Sequence, residues 1–383
     1  MGILIVDDSP FNLFYFRNEL HGAGYPDVWT AGSAAEALEI LGIEPEAPPR
    51  ESVDLILMDI EMPGLNGVDA CRRIKSSGKG ADIPIIFVTA NKTHLNAAFD
   101  AGGMDFIEKG CERIELLARV KSALSLKRET DGRKVRERKL TKELLLARQI
   151  QRCVLSEPID SDRIQIHSVY RQSEEVSGDM LYWAQMDDQR YGVILIDVSG
   201  HGLSSAFVSM SIRSLLTELM IRGLRPERIY EDLNRHMIQL FGGSKRFMYF
   251  TAIFAAIDTE NRWIEYFNAG HPPGLLLHPD AEAVKLSGTC IPIGMKLSAS
   301  PRVERLPYRD GTRLLLYTDG LVETPGRPIS DAVEALKTEA IRRNGLRNTE
   351  FVEQIAGLKK TIFDDVCVIS ILLNSSSASI YSS

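Results

Sequence analysis

Across the first 122 residues, short apolar runs alternate with helical patterns, and that alternation leaves few folds open. The runs at 3–6, 54–58, 83–88 and 105–107 are largely apolar on successive positions, as strands buried on both faces of a parallel sheet must be. Helical patterns occupy 10–23, 34–41, 67–75, 94–101 and 113–124. Thr30, Ala31 and Gly32 carry a further strand into the second helical pattern, with Ser33 as its N-cap. Five strands alternating with five helices make a doubly wound, five-stranded α/β domain. The stretch 44–52 holds three prolines and reads as a surface loop.

From Arg163 onward the pattern changes. Strand-like runs at 164–170, 191–196, 249–257, 263–267, 314–317 and 366–372 surround long helical patterns at 204–221, 226–241, 330–343 and 349–362. Strands running together with helices grouped between them predict an α+β domain layered as an αββα sandwich. Between the two domains, 123–155 lacks proline and reads as a helical linker. Leu140, Leu144, Ala147 and Val154 fall at a/d spacing, with polar Gln151 interrupting them. About two heptads support either self-association into a homodimer or packing on the domain that follows. The boundaries are thus 1–122, 123–155 and 156–374, with 375–383 a serine-rich, disordered tail.

Charge and cysteine usage narrow the class. Net charge is −7, yet residues 125–148 carry 9 Lys/Arg against 4 Asp/Glu. Those charges alternate along a helix, which describes a solvated connector and not a nucleic-acid footprint. The five cysteines, at 71, 111, 153, 290 and 367, form no Cys-x-x-Cys pair. That scatter predicts free thiols in a reducing compartment. No run approaches the ~20 apolar residues of a membrane helix. The N-terminus enters Asp7 and Asp8 without a basic leader, so a cytoplasmic protein is expected.

In an open α/β sheet, ligands bind beyond the carboxyl ends of the strands. Asp7 and Asp8 follow the first strand here, Asp59 the third, Thr89 the fourth and Lys109 the fifth. Three converging carboxylates need a cation among them, and an oxygen-only set suits Mg²⁺. A carboxylate beside Mg²⁺ can attack a phosphoryl donor and become an acyl phosphate. A hydroxyl and an ammonium are the partners that new phosphoryl oxygens require. Any one of these residues alone would read as a cap or surface charge. Five at matching strand ends do not.

Residues 1–122 resemble the receiver domain of two-component response regulators. The resemblance rests on Val6-Asp7-Asp8, on the run Leu57 to Gly64, on Phe87-Val88-Thr89-Ala90 and on Asp105-Phe106-Ile107-Glu108-Lys109. It implies Asp59 as phospho-acceptor, Asp7 and Asp8 as Mg²⁺ ligands beside it, Thr89 and Lys109 as phosphoryl contacts, and Phe106 as an aromatic switch. An upstream histidine kinase is the implied donor. Gly110 stands where the family usually has proline.

The second domain carries four isolated aspartates, each in a turn beside a strand: Asp179, Asp197, Asp319 and Asp364. A strand-end aspartate next to glycine is often only a turn residue. Together the four supply hard oxygen ligands for two divalent cations, Mg²⁺ or Mn²⁺, that activate a water between them. No cysteine lies in a phosphate-cradling loop, so a cysteine nucleophile is not expected.

This domain resembles the bacterial sporulation and stress-response branch of the metal-dependent, protein phosphatase 2C-like phosphatases. The matching segments are Ala147-Arg148-Gln149-Ile150-Gln151, Ser177-Gly178-Asp179, the run Asp197 to Gly202, Asn268 to Pro273, Tyr317-Thr318-Asp319-Gly320 and Asp364-Asp365. The resemblance implies Asp197 as bridging ligand with the Val198 carbonyl on one ion, and Asp319 and Asp364 on the other. Asp179 acts through water. His201 and His271 are expected to hold turns. Ser177 and Tyr182 stand where the family often has glycine and an acid.

The combined reading is a receiver-controlled protein serine/threonine phosphatase acting on a phosphorylated, anti-anti-sigma-like adaptor in a partner-switching pathway. A competing reading is a catalytically weak phosphatase-fold domain that binds the adaptor under receiver control. The presence of all four aspartates favours the enzyme.

Overall fold

The computed structural model describes residues 1–44, 49, 51–90, 94–242, 247–280, 282–296, 299–324, 326–360 and 363–374. The tail expected at 375–383 and much of the 44–52 loop lie outside them. The fold divides into two compact units, Met1–Leu140 and the residues from Thr141 onward. This division falls within the segment that the sequence assigns to a linker.

The first unit alternates β1 (Ile3–Val6), α1 (Pro10–Gly22), β2 (Val28–Ala31), α2 (Ala34–Ile40), β3 (Leu55–Asp59) and α3 (Gly67–Ser76). It continues with β4 (Ile85–Thr89), α4 (Leu95–Asp100), β5 (Asp105–Glu108) and α5 (Arg113–Cys153). All neighbouring strands pair in parallel, in the order β2-β1-β3-β4-β5. Alternate strand residues face two cores. Ile5, Leu57 and Val88 meet Leu116 and Val120 of α5, while Val6, Met58 and Phe87 meet Leu38 and Ile74 of α2 and α3. Burial on both faces explains the near-continuous apolar runs. The order reverses between β1 and β3, so the ends of those strands flank the crevice where such sheets take ligands. Ser33 caps α2 as expected, its Oγ accepting from the Glu36 amide at 3.2 Å.

Two helical segments of the sequence reading, 113–124 and 123–155, are one helix of 41 residues. The heptad seam divides along its length. Gln151 is buried and Val154 packs on the second unit's core, whereas Leu140 is exposed. An a/d pattern cannot distinguish a partner helix from a sheet-and-helix surface of the same chain.

The second unit opens with β6 (Ile159–Asp160), β7 (Ile164–Arg171), β8 (Met180–Gln185), β9 (Arg190–Val198), α6 (Leu203–Ile221) and α7 (Pro226–Phe241). Then follow β10 (Phe250–Asp258), β11 (Trp263–Ala269), β12 (Gly274–Leu277), β13 (Ala283–Leu286), β14 (Glu304–Pro307) and β15 (Thr312–Tyr317). The last elements are α8 (Asp319–Val322), α9 (Ile329–Arg343), α10 (Asn348–Ala356) and β16 (Val366–Leu373). Two antiparallel sheets result, ordered β14-β11-β10-β9-β8 and β13-β12-β15-β16-β7-β6. Leu181, Leu195 and Ile253 from one sheet share a core with Leu314, Leu316 and Ile369 from the other. Helices α6 and α7 cover the outer face of the first sheet, and α9 and α10 that of the second. This is the αββα sandwich. Helix α10 stops at Ala356, short of the 362 read from sequence; the next residue is Gly357, a poor helix former.

One buried cation organises the second sheet. Arg313 is fully buried and stacks on Phe351 at 4.1 Å. Its guanidinium donates to Asn344 Oδ1, Asn348 Oδ1, Ser370 Oγ and the carbonyls of Asn344 and Leu346. All five acceptors are neutral, so desolvation lowers its pKa to about 10 without expelling the proton. Arg313→Met would strip those acceptors of the guanidinium, leaving Asn348 Oδ1 only the Ser370 hydroxyl, and urea unfolding is expected to show a loss of about 3 kcal/mol.

Candidate functional site

In the first unit, the structure gathers the strand-end residues at one spot. Carboxylate oxygens of Asp7, Asp8 and Asp59 lie within 4.8 Å of one another. Lys109 Nζ reaches Asp59 Oδ2 at 2.7 Å and Asp7 Oδ2 at 3.0 Å. Asp7 is oriented by the Ser9 amide at 2.9 Å and the Asn12 amide group at 3.0 Å. Asp59 Oδ1 accepts from the Glu61 amide at 3.3 Å. Burial pushes the Asp59 carboxyl above its ordinary range, against the pull of Lys109. Burial alone would lower the Lys109 ammonium, but its bonds to Asp59 and Asp7 outweigh that and leave it raised.

Thr89 ends β4 beside β3, buried, and its carbonyl accepts from the Lys109 amide at 2.9 Å. Phe106 sits on β5, half-buried, edge-on to Phe99 at 6.3 Å and under the Arg119 guanidinium at 5.7 Å. Gly110 has φ +94°, a left-handed conformation that proline cannot adopt. The loop after Lys109, as it turns here, has no place for proline at 110. A Cβ at Gly67 would stand 1.9 Å from the Asp59 carbonyl, so α3 starts this close to the acceptor only with glycine there.

In the second unit, Asp179, Asp197, Val198, Asp319 and Asp364 all line one cavity of about 420 Å³. They arrive from different elements. Asp197 is near the end of β9, Asp179 immediately precedes β8, Asp319 opens α8, and Asp364 precedes β16. A Cβ at Gly320 would stand 2.0 Å from the Asp365 carbonyl, so only glycine lets the Asp319 and Asp364 segments approach.

The electrostatics of this cavity are those of like charges held together. Burial, then the Asp319 and Asp364 charges, raise the Asp197 carboxyl to about 7. Burial and Asp364 raise Asp319 to about 6. Asp179, only 4% exposed, is pushed well up by burial, Asp197 and Asp365, and its Oδ2 has no hydrogen-bond partner. An orphaned buried carboxylate oxygen among other carboxylates is what a cation, or its bound water, would satisfy. The donor set is all oxygen, so it fits Mg²⁺ or Mn²⁺ and not a thiolate-seeking ion.

Two further acids belong here: Glu323, which the sequence did not single out, and Asp365, which stood in a matching segment without a role. Glu323 shares the cluster, its carboxylate within 4.8 Å of those of Asp319 and Asp364. Its spacing of four from Asp319, one helical turn, was the available signal. Asp365 is buried and accepts from the Ser173 amide at 2.7 Å, from Ser173 Oγ at 2.9 Å and from Ser177 Oγ. The two histidines part company. His271 braces a turn as expected, its amide donating to Asn268 Oδ1 at 2.8 Å and Nδ1 paired with Thr251 Oγ1 at 2.8 Å. Burial lowers its pKa to about 3, so it is neutral. His201, in contrast, is 86% exposed at the cavity rim and pairs only with Glu174 among the described residues, at 3.2 Å.

These two constellations have known counterparts. Residues 3–121 match the family described as response regulator receiver domain, and residues 187–373 that described as Stage II sporulation protein E (SpoIIE). Residues 3–121 are thus a response-regulator receiver domain, followed over residues 187–373 by a domain of the SpoIIE family. Among particular relatives, phosphoserine phosphatase RsbP of Bacillus subtilis is 39% identical over 211 residues, 51% of this chain and 52% of that protein. Transcriptional regulatory protein YvrH of Bacillus subtilis is 33% identical over 124 residues, 32% of this chain and 48% of that protein. The chain spans about half the length of both. The solved RsbU and RsbW domains of Rv1364c from Mycobacterium tuberculosis superpose with a TM-score of 0.50 at 25% identity, over 56% of this chain and 62% of that one.

The raised carboxyls set a sign for cation binding. Below the raised values, protons occupy Asp197 and Asp319, and an entering cation must displace them. Calorimetric titration with Mn²⁺ is expected to show proton release at about pH 6 that largely disappears by about pH 8.5, with affinity rising over that interval. Affinity independent of pH would contradict the clustering.

Proposed function

We propose that the chain is a metal-dependent protein serine/threonine phosphatase whose activity is set by phosphorylation of Asp59. The gathering of Asp179, Asp197, Asp319 and Asp364 around one cavity carries this reading. The phosphatase 2C-like fold and the likeness to a phosphoserine phosphatase support it.

Asp197 and the Val198 carbonyl would hold one divalent cation, with Asp197 shared, and Asp319 and Asp364 the second. Bound there, two Mg²⁺ or Mn²⁺ ions supply an activated water and neutralise charge developing on the transferring phosphoryl group. The protein's part is placement. Asp179 lines the cavity and has an unpartnered carboxylate oxygen, Oδ2, which would hold a water and receive its proton. Gly178 and Gly320 keep the backbone close enough for the carboxylates to converge. His201 at the rim is too exposed, with a single pairing to Glu174, to fix a leaving-group oxygen, so the leaving alkoxide takes its proton from solvent.

In the receiver, Asp7, Asp8 and Asp59 would hold Mg²⁺ while a histidine kinase supplies the phosphoryl group to Asp59. Lys109 already lies against Asp59, and Thr89 ends the neighbouring strand. Repacking around Phe106 would pass along the helix that begins at Arg113, either directly or through a homodimer formed by the receiver or the linker. The substrate is a phosphoserine or phosphothreonine adaptor of the anti-anti-sigma type, whose dephosphorylation switches partners.

Two substitutions separate the halves of this reading. Asp197→Asn should lower Mn²⁺-dependent hydrolysis of a phosphoserine protein by at least about a hundredfold. Loading Asp59 from acetyl phosphate should change wild-type turnover and leave that of Asp59→Asn untouched. An active Asp197→Asn enzyme removes the catalytic assignment; an equal response from Asp59→Asn removes the regulatory one.

A further inference from the structure

Gln151 lies two residues before the end of α5 and is only 3% exposed. Its amide meets both backbone groups of a single residue. Nε2 donates to the Ser177 carbonyl at 2.9 Å, and Oε1 accepts from the Ser177 amide at 3.1 Å. Gln172 Nε2 adds a second donor to Oε1 at 3.2 Å. Glutamine suits this place because its side chain carries one donor group and one acceptor, matching a peptide unit. Methionine would fill the volume with neither, and glutamate would set a carboxylate against the Ser177 carbonyl.

Ser177 is in turn a junction between two segments of the acidic cavity. Its Oγ donates to Asp365 Oδ2 and accepts from the Asp179 amide at 3.0 Å. Asp365 lies beside Asp364, whose Oδ1 accepts from the Asp365 amide at 2.7 Å. The Asp179 segment and the Asp364 segment are thus tied to each other through Ser177, and Ser177 is held by Gln151. A buried chain of this kind fixes side-chain direction, and groups outside the ligand set tune a metal site through direction.

We propose that Gln151 is a positioning residue for the divalent-cation site, setting its affinity by clamping Ser177 between the Asp179 and Asp364 segments. This rests on the reading of that cavity as a cation site. It would make the end of α5 a point at which any rotation of the helix reaches the metal centre.

The test is Mn²⁺ titration calorimetry on the full chain, alongside the Mn²⁺ dependence of p-nitrophenyl phosphate hydrolysis. Gln151→Met is expected to raise the Mn²⁺ Kd and the half-activating Mn²⁺ concentration by about tenfold or more. Turnover at saturating Mn²⁺ should return to within about threefold of wild type. Arg148→Met, one turn earlier and bonded to Gln172 and not to Ser177, should leave Mn²⁺ affinity unchanged. If Gln151→Met does not fold, Ser177→Ala cuts the same chain at its junction and should show the same rise. Unaltered Mn²⁺ affinity in the Gln151 variant, or an equal loss in Arg148→Met, overturns the clamp. Wild-type protein that takes up no Mn²⁺ overturns the cation site itself, and the clamp with it.

Discussion

The second unit is built around an unfavourable arrangement: several carboxylates held close together, partly out of water. In the folded chain, burial and mutual repulsion raise Asp179, Asp197 and Asp319 above ordinary carboxylate values. Left to themselves, such groups would separate or take up protons. The sandwich prevents separation, because Asp197 ends a central strand and Asp319 and Asp364 flank the paired strands β15 and β16. Rigid sheets impose the crowding, and the crowding creates the demand for cations.

The first unit reaches a similar demand by different means. In a parallel sheet, strand ends on one side are automatically neighbours, so Asp7 and Asp59 on adjacent strands converge without long-range contrivance. There Lys109 supplies part of the compensating charge, bonded to both carboxylates. In the antiparallel sandwich, loops from both sheets must meet, and within each sheet a glycine allows a close approach: Gly178 beside the Val198 carbonyl and Gly320 beside the Asp365 carbonyl. The second site carries no lysine in its lining among the described residues. Its charge is balanced only from outside.

Much of this could be read along the chain, and the omissions have physical causes. The strands that carry Asp59, Thr89 and Asp197 at or near their ends are near-continuous apolar runs, whose shortness and bounding turn residues mark them as strands. Strands β12, β13 and β14 are only four residues each, and two of them are edges, so their patterns were too short or too polar to register. Helix α8 is a single turn and leaves no periodicity to read. Glu323 was passed over because it lies just beyond α8, and Asp365, though in a matching segment, received no role because it stands beside Asp364. Gln151 was legible as a break in an apolar seam. Whether that seam met a second helix or its own domain was not.

The amino-acid order by itself determined the two fold classes, the junction region between them and the residue types available for chemistry. Those features follow from local periodicity and from side-chain identity. Tertiary structure alone decided which acids share a cavity, which are braced from behind and which way Gln151 faces. The hydrogen bond from Ser177 to Asp365 spans 188 positions. No local pattern encodes such a pairing, because it depends on two sheets and a helix having already packed against one another.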